Sequence, residues 1–141
     1  MKAFLDTSVL VATFYGDHEY HGSSLRLFAE LRKQTGSTAA HCLAEAYAVT
    51  TGMPGKNRAS PHEALLFVRD AFERLTIVTL DTDEYLTTLE NAVAESIAGG
   101  TVYDAIIGQC ALKAKAQTIY TWNKKHFMGL GEAVAGRVRV P

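Results

Sequence analysis

Short apolar runs alternate with longer helical stretches along the whole chain, and this alternation constrains the fold more than any other feature. The runs predict strands at residues 3–6, 37–41, 76–80, 117–121 and 137–140. Parallel neighbouring strands need long crossover connections, which the intervening helical stretches supply. The pattern therefore predicts an α/β fold in a single domain over residues 1–141, with a mostly parallel sheet of four to five strands and helices on both faces.

The helical stretches carry start and stop signals of their own. They predict helices at 8–16, 23–36, 43–52, 62–75, 83–98 and 102–116. Ser23 or Ser24 is expected to cap the second helix, and Gly36 is expected to stop it. Residues 53–61, which read MPGKNRASP, predict a loop.

Composition excludes several classes of protein. With 141 residues, of which 48% are apolar and 21% charged, the chain suits an ordinary globular core. No segment approaches the roughly 18 to 20 apolar residues of a membrane helix, and polar residues 6–8 interrupt the N-terminal run before a signal peptide can form. We therefore expect a cytoplasmic protein with no membrane partner. A net charge of -1 means that any attraction to nucleic acid must be local.

The residues that often bind zinc or form disulfides are not arranged for either purpose. Cys42 and Cys110 lie in apolar stretches without metal-ligand spacing, so we interpret them as small core residues in a reducing compartment. The five histidines lack the paired helical spacing of a zinc site. Neither cysteine is expected to act as a nucleophile.

Asp6 lies in the middle of an apolar run, MKAFLDTSVLVATF, where the predicted first strand ends and the first helix begins. Ligands of open α/β sheets bind beyond the carboxyl ends of the strands, so Asp6 is in a functional position. The alternative is that Asp6, or Thr7 beside it, only caps the first helix.

Three more polar residues are candidates, each with a structural alternative. Glu45 borders the apolar stripe of its helix and can face inward, although most glutamates are solvated. Asp104 lies one step from an apolar stripe, but Thr101 and Asp104 also fit a capping box. Asn123 follows the strand at 117–121, where it could serve only as a turn residue.

Taken together, these segments resemble a PIN domain, specifically the VapC type of toxin ribonuclease. The segments that carry the resemblance are FLDTSVLVA, LAEAYAV, TVYDAIIGQCAL and TIYTWNKKHF. None is specific alone, but their order and spacing match the family over essentially the whole chain.

The resemblance implies a Mg²⁺ or Mn²⁺ ion held by converging carboxylates. Carried over by motif, the metal ligands are Asp6, Glu45 and Asp104, and Asn123 lies where many relatives have a further Asp. Hard oxygen ligands suit these cations. Two carboxylates about 4 Å apart repel by about 4 kcal/mol at an effective dielectric of about 20, and a cation would offset that repulsion. Whether one ion or two are held stays open.

The implied activity is metal-dependent endonucleolytic cleavage of RNA, in which the ion activates a water and neutralises charge on the phosphoryl oxygens. Thr7, Ser8 and Thr121 could orient the carboxylates through their hydroxyl groups. The candidates for RNA phosphate contacts are loop cations that could equally be only solvated: Arg58, Lys124 and Lys125.

The resemblance also implies partners. VapC-type toxins are held inactive by a VapB-type antitoxin whose C-terminal segment lies in a groove near the active site, and many form homodimers. Five apolar residues on the early helices could line such a groove or a dimer face, although core packing is the simpler role for most of them: Phe14, Tyr15, Phe28, Leu31 and Phe67.

Two alternatives come from other classes of protein. LDTDE at the end of the strand 76–80 places Asp81 and Asp83 like the D-x-D of an aspartyl-nucleophile phosphatase, whereas Asp81 and Thr82 are also well placed to cap the next helix. The other alternative is a non-catalytic binding module on a PIN-like scaffold.

Overall fold

The computed structural model describes all 141 residues and contains one parallel sheet. Its five strands are β1 (Ala3–Leu5), β2 (Gly36–Ala39), β3 (Thr76–Val78), β4 (Thr118–Tyr120) and β5 (Val138–Arg139). The strand order is β3-β2-β1-β4-β5, and all four pairings are parallel. The predicted α/β sheet of four to five strands is thus confirmed.

Eight helices flank the sheet. They are α1 (Thr7–Phe14), α2 (His21–Glu30), α3 (Ala40–Gly52), α4 (Pro61–Arg74), α5 (Thr82–Ala94), α6 (Thr101–Lys113), α7 (Lys124–Met128) and α8 (Glu132–Ala135). Helices α1 to α4 pack against one another, and α5 to α8 form a second packed group. The predicted loop at 53–61 contains a single 3-10 turn, Gly55–Asn57.

A single hydrophobic core joins the sheet to both helical groups. All three residues of β1 are buried, as expected for a central strand covered on both faces. The largest fully buried apolar side chains come from β1, from β4, from four of the helices and from the residue after α4. They are Phe4, Leu5, Val9, Leu10, Leu75, Ile107, Ile119, Phe127 and Val134. No helix is both long enough and apolar enough to cross a bilayer.

The second helix differs most from the sequence prediction. It begins at His21 and ends at Glu30, so neither Ser23 nor Ser24 caps it. Gly36, predicted to stop this helix, is instead the first residue of β2. A Cβ atom at Gly36 would come within 2.8 Å of side-chain atoms of Leu31 and Leu75, so glycine permits a close approach there rather than ending a helix.

Two helices begin with complete capping boxes. At the start of α5, the backbone N–H of Glu84 donates to Asp81 Oδ1 at 2.8 Å, and the backbone N–H of Asp81 donates to Glu84 Oε1 at 2.9 Å. Ser60 and Glu63 make the same reciprocal pair at α4. Asp81 is therefore engaged as a helix cap, which is the structural role that the sequence offered as the alternative to a phosphatase nucleophile.

The five apolar residues considered for a groove or dimer face largely pack inward. Phe28 and Leu31 are buried in the core. The ring of Phe14 lies 5.0 Å from those of both Tyr15 and Phe67, measured between centroids, and Phe67 also contacts Phe28. They form an aromatic cluster between α1, α2 and α4.

Candidate active site

The strand order defines where a ligand should bind. The chain places β2 and β3 on one side of β1, and β4 and β5 on the other, so the order reverses between β1 and β4. Ligands of open α/β sheets bind at such a reversal, beyond the carboxyl ends of the strands. A cavity of about 930 Å³ opens at this edge of the sheet.

The four residues predicted from the sequence as the catalytic site all line this cavity. They are Asp6, Glu45, Asp104 and Asn123. Asp6 directly follows β1, Glu45 lies in the second turn of α3, Asp104 lies in the first turn of α6, and Asn123 precedes α7. Residues from four separate parts of the chain thus meet at one cavity.

Asp6 is a buried carboxylate held by two hydroxyl groups. It occupies the N-cap position of α1, but its side chain makes no capping hydrogen bond. Thr121 and Ser8 instead donate to its Oδ2 atom, at 2.7 Å and 3.0 Å. Burial raises the pKa of Asp6, and these two hydrogen bonds partly oppose the rise. The protein therefore carries an energetic cost for an ionised Asp6, which a cation would offset.

Ser8 and Thr121 also hold the turn that follows β4. The backbone N–H of Trp122 donates to Ser8 Oγ at 2.9 Å, and that of Asn123 donates to Thr121 Oγ1 at 2.9 Å. Each hydroxyl group therefore joins Asp6 to this turn, which fixes the position of Asp6 relative to residues 122 and 123.

Glu45 is oriented by Thr7 from the neighbouring helix. Thr7 Oγ1 donates to Glu45 Oε1 at 2.8 Å, and the same oxygen lies 3.7 Å from Nε2 of His41. The Glu45 side chain is 37% exposed, so it faces the cavity without being deeply buried. The expectation that Glu45 can face inward agrees with this position.

Asp104 is influenced by the other two carboxylates. Burial raises its pKa, Asp6 and Glu45 raise it further, and His126, whose Nδ1 lies 3.7 Å from Asp104 Oδ2, opposes the rise. The N-cap of α6 is Gly100 and makes no side-chain capping bond, so the capping-box alternative for Asp104 is wrong. The charges of Asp6 and Glu45 therefore act on Asp104 across the cavity.

The predicted cations are divided between the cavity and the surface elsewhere. Lys125 lines the cavity, whereas Lys124 and Arg58 do not. Arg58 instead donates from Nε to the backbone carbonyl of Met53 at 2.7 Å. The structure therefore brings one of the three predicted cations to the site.

Several lining residues were not predicted from the sequence. They are aromatic or histidine side chains: His18, Tyr20, Tyr103, Trp122 and His126. Trp122 lies directly beside Asn123, and His126 lies three residues further along, both within the segment TIYTWNKKHF. Tyr103 lies directly beside Asp104 within TVYDAIIGQCAL. This proximity to predicted site residues was the only available signal.

The two thiols behave as core groups, as predicted. Cys42 and Cys110 are buried and unpaired. Burial raises the pKa of Cys110 to about 11, and burial together with the charge of Asp6 raises that of Cys42 still more. Neither forms a thiolate at neutral pH, so neither is a nucleophile.

The donor set of the cavity fits a hard cation in its chemistry. No three His, Cys, Asp or Glu side chains stand close enough together to form a ready-made metal site. The three carboxylates nevertheless line one cavity, and burial raises the pKa of both Asp6 and Asp104. Carboxylate oxygen atoms suit Mg²⁺, Mn²⁺ or Ca²⁺ better than zinc. A bound cation would also offset the cost of ionising the buried carboxylates.

The fold and the site together define an α/β protein with a carboxylate-lined cavity at the reversal point of a parallel sheet. The family model of the PIN domain matches residues 3–127. The chain belongs to the PIN domain family, as the sequence motifs indicated.

Two relatives of known name agree with this family, and solved structures share its fold. The chain is 30% identical to Ribonuclease VapC40 of Mycobacterium tuberculosis over 114 residues, 81% of each chain, and 27% identical to Ribonuclease VapC27 of the same organism over 113 residues, 80% of this chain and 79% of that one. The crystal structure of M. tuberculosis VapC20, described as a Sarcin-Ricin loop cleaving toxin, superposes with a TM-score of 0.68 at 20% identity, covering 89% of this chain and 92% of that one. VapBC2 from Rickettsia felis, bound to a DNA fragment from its promoter, superposes with a TM-score of 0.68 at 17% identity over 100% of this chain and 99% of that one.

Proposed function

We propose that this protein is a metal-dependent endoribonuclease of the VapC type, the toxin of a toxin-antitoxin pair. The observation that carries the proposal is the meeting of Asp6, Glu45 and Asp104 at one cavity, at the carboxyl edge of the sheet. VapC40 and VapC27 are both named ribonucleases, and each aligns with about four fifths of this chain. Strands from both ends of the chain share one sheet, which supports a single domain over residues 1–141.

The ion that we propose is Mg²⁺ or Mn²⁺, held by Asp6, Glu45 and Asp104. When bound, such an ion supplies Lewis-acid activation of a water and neutralises charge on a phosphodiester. Carboxylates are the preferred protein ligands of both cations.

Residues around the carboxylates position them and the substrate. Ser8 and Thr121 fix Asp6 through two hydrogen bonds, and Thr7 fixes Glu45 through one. Asn123 can offer a neutral carbonyl oxygen to the site or donate its NH₂ to a neighbouring carboxylate. Lys125 lines the cavity and is the cation that we propose contacts an RNA phosphate, whereas Arg58 and Lys124 would have to act outside the cavity.

A VapB-type antitoxin is the partner that we propose. Two structural neighbours are VapBC complexes, that of R. felis and VapBC-1 from nontypeable Haemophilus influenzae. Beside the aromatic cluster, α4 leaves Leu65, Leu66 and Phe72 exposed, which gives an apolar partner a surface to cover. A homodimer and a cytoplasmic location stay predictions.

The proposal is tested with purified protein freed of any antitoxin. It is expected to cut RNA in the presence of Mg²⁺ or Mn²⁺, to stop when a chelator is added, and not to be rescued by Zn²⁺. RNA binding without cleavage under all metal conditions would favour the non-catalytic binding module. Cleavage that resists the chelator would contradict the metal-dependent mechanism.

A further inference from the structure

An aromatic pair lies beside the carboxylates in the same cavity. The rings of Tyr20 and Trp122 stack with 3.9 Å between centroids and an interplanar angle of 10°. Both residues line the cavity with Asp6 and Asn123. We call this pair the aromatic platform. It joins residues about a hundred positions apart in the chain.

The aromatic platform is fixed to the same framework as Asp6. The Nε1–H of Trp122 donates to Ser24 Oγ at 2.8 Å, and its backbone N–H donates to Ser8 Oγ at 2.9 Å. Ser8 in turn donates to Asp6 Oδ2 at 3.0 Å. A group stacked on the platform would therefore sit at a set position relative to the carboxylates.

Tyr20 presents the open surface of the platform. Although Trp122 covers one of its faces, Tyr20 remains 39% exposed. The neighbouring His18 ring is tilted by 45° with its centroid 5.7 Å away, so it does not form a second parallel stack. An exposed aromatic ring in the wall of a cavity is a surface on which another flat ring can stack.

The charges near the platform favour an uncharged group over a phosphate. Glu19 lines the same part of the cavity, and its carboxylate raises the pKa of the Tyr20 hydroxyl group. The phenol therefore stays neutral and protonated at physiological pH. A phosphate would be repelled by Glu19 and attracted towards Lys125, which also lines the cavity.

Resting on the proposed function, we infer that Tyr20, backed by Trp122, binds one unpaired nucleobase of the RNA by stacking, next to the phosphodiester that is cut. Every base has an aromatic face, and stacking on a protein side chain is tolerant of sequence. Bases within an A-form duplex are already stacked and paired, so the platform selects nucleotides in single strands, loops or bulges. It contributes substrate selection rather than chemistry.

The test combines a protein change with an RNA change. In an unstructured RNA oligonucleotide with a mapped cleavage site, each flanking nucleotide is replaced in turn by an abasic one. Tyr20→Ala is expected to lower kcat/KM on the intact RNA by about 5- to 150-fold, the range for loss of one stacked base. For the wild-type protein, an abasic nucleotide at one position should lower kcat/KM by a similar factor. For Tyr20→Ala, the same abasic nucleotide should lower kcat/KM almost no further, because the contact is already lost.

Three further variants make the test specific. Tyr20→Phe keeps the ring and is expected to keep kcat/KM within about twofold, whereas Tyr20→Leu keeps an apolar cover on Trp122 but should lose as much as Tyr20→Ala. Tyr85→Ala is the matched control, since Tyr85 is 37% exposed on α5 and lies outside the cavity. Melting curves for all variants check that folding is retained.

The outcomes separate the platform from the proposed function. The wild-type protein could cut RNA while Tyr20→Ala and an abasic nucleotide lower kcat/KM independently, so that their two factors multiply at every position. That result would refute the platform and leave the proposed ribonuclease activity intact. An equal loss in Tyr85→Ala, or a loss in Tyr20→Phe as large as in Tyr20→Ala, would also refute stacking. If the wild-type protein with Mg²⁺ or Mn²⁺ cuts no RNA, the proposed function fails and the platform fails with it.

Discussion

At the residue scale, Asp6 carries an energetic cost in the folded protein. Its burial raises the pKa from 3.8, so the ionised form is disfavoured relative to the unfolded chain. At neutral pH this cost lowers stability, and the cost disappears as pH falls through the folded pKa towards the unfolded value. A bound cation would remove the same cost at neutral pH by offsetting the charge.

We therefore predict that Asp6→Asn abolishes RNA cleavage while leaving the metal-free protein at least as stable as the wild type at neutral pH. The stability difference should narrow as pH falls, because protonation of Asp6 removes the charge in the wild type too. Mg²⁺ or Mn²⁺ should raise the Tm of the wild type and not that of Asp6→Asn. Chemical denaturation at several pH values, with chelator or metal, measures all three effects. A variant less stable by more than about 1 kcal/mol would mean that the bonds to Ser8 and Thr121 are mainly structural.

Asn123 gives a second prediction at this scale. Asn123 lines the cavity, but it adds no charge to the three carboxylates. Asn123→Asp is expected to keep activity and to lower the Mn²⁺ concentration needed for half-maximal rate, because a fourth carboxylate strengthens cation binding. Asn123→Ala should weaken cleavage by less than Asp104→Asn does. A Mn²⁺ titration with unchanged midpoint and rate for Asn123→Asp would reduce residue 123 to a turn position.

At the element scale, two aspartates at helix starts have different roles. Asp81 caps α5 in a complete capping box, whereas Asp6 occupies the cap position of α1 without capping it. Asp81→Ala is expected to lower the free energy of unfolding by about 1 kcal/mol and to leave RNA cleavage unchanged. Chemical denaturation and a cleavage assay on the same sample measure both. Loss of cleavage in a stably folded Asp81→Ala protein would contradict a purely structural cap.

The helices and strands show which elements the sequence could predict and why other elements were not predicted. Strands and long helices followed the hydrophobic periodicity closely, because their burial depends on that pattern. The end of α2 was missed because Leu31 is buried and continues the apolar pattern beyond Glu30, where the backbone is already extended. Helices α7 and α8 have five and four residues, too few for a helical period to appear.

At the scale of the whole molecule, motifs and the family resemblance predicted four residues that line one cavity, while the surroundings of those residues could not be predicted. Asp6 and Asn123 follow adjacent parallel strands, so strand order alone brings them to one edge. The stacking of Tyr20 on Trp122 and the approach of His126 to Asp104 depend on how helices pack, which no local pattern encodes. Arg58, although basic and in a loop, is engaged with its own loop at Met53.

One measurement tests the central claim most directly: the single-turnover rate of RNA cleavage in Mn²⁺ by the wild type, Asp104→Asn and Asp81→Asn. Both variants remove one carboxylate, but only Asp104 lines the cavity with Asp6 and Glu45, and asparagine caps a helix as well as aspartate does. We predict that Asp104→Asn loses at least about 100-fold in rate while Asp81→Asn stays within about twofold of the wild type, and that a chelator stops the wild type. Equal rates for Asp104→Asn and Asp81→Asn, with both proteins folded, would contradict a carboxylate-held metal as the source of activity.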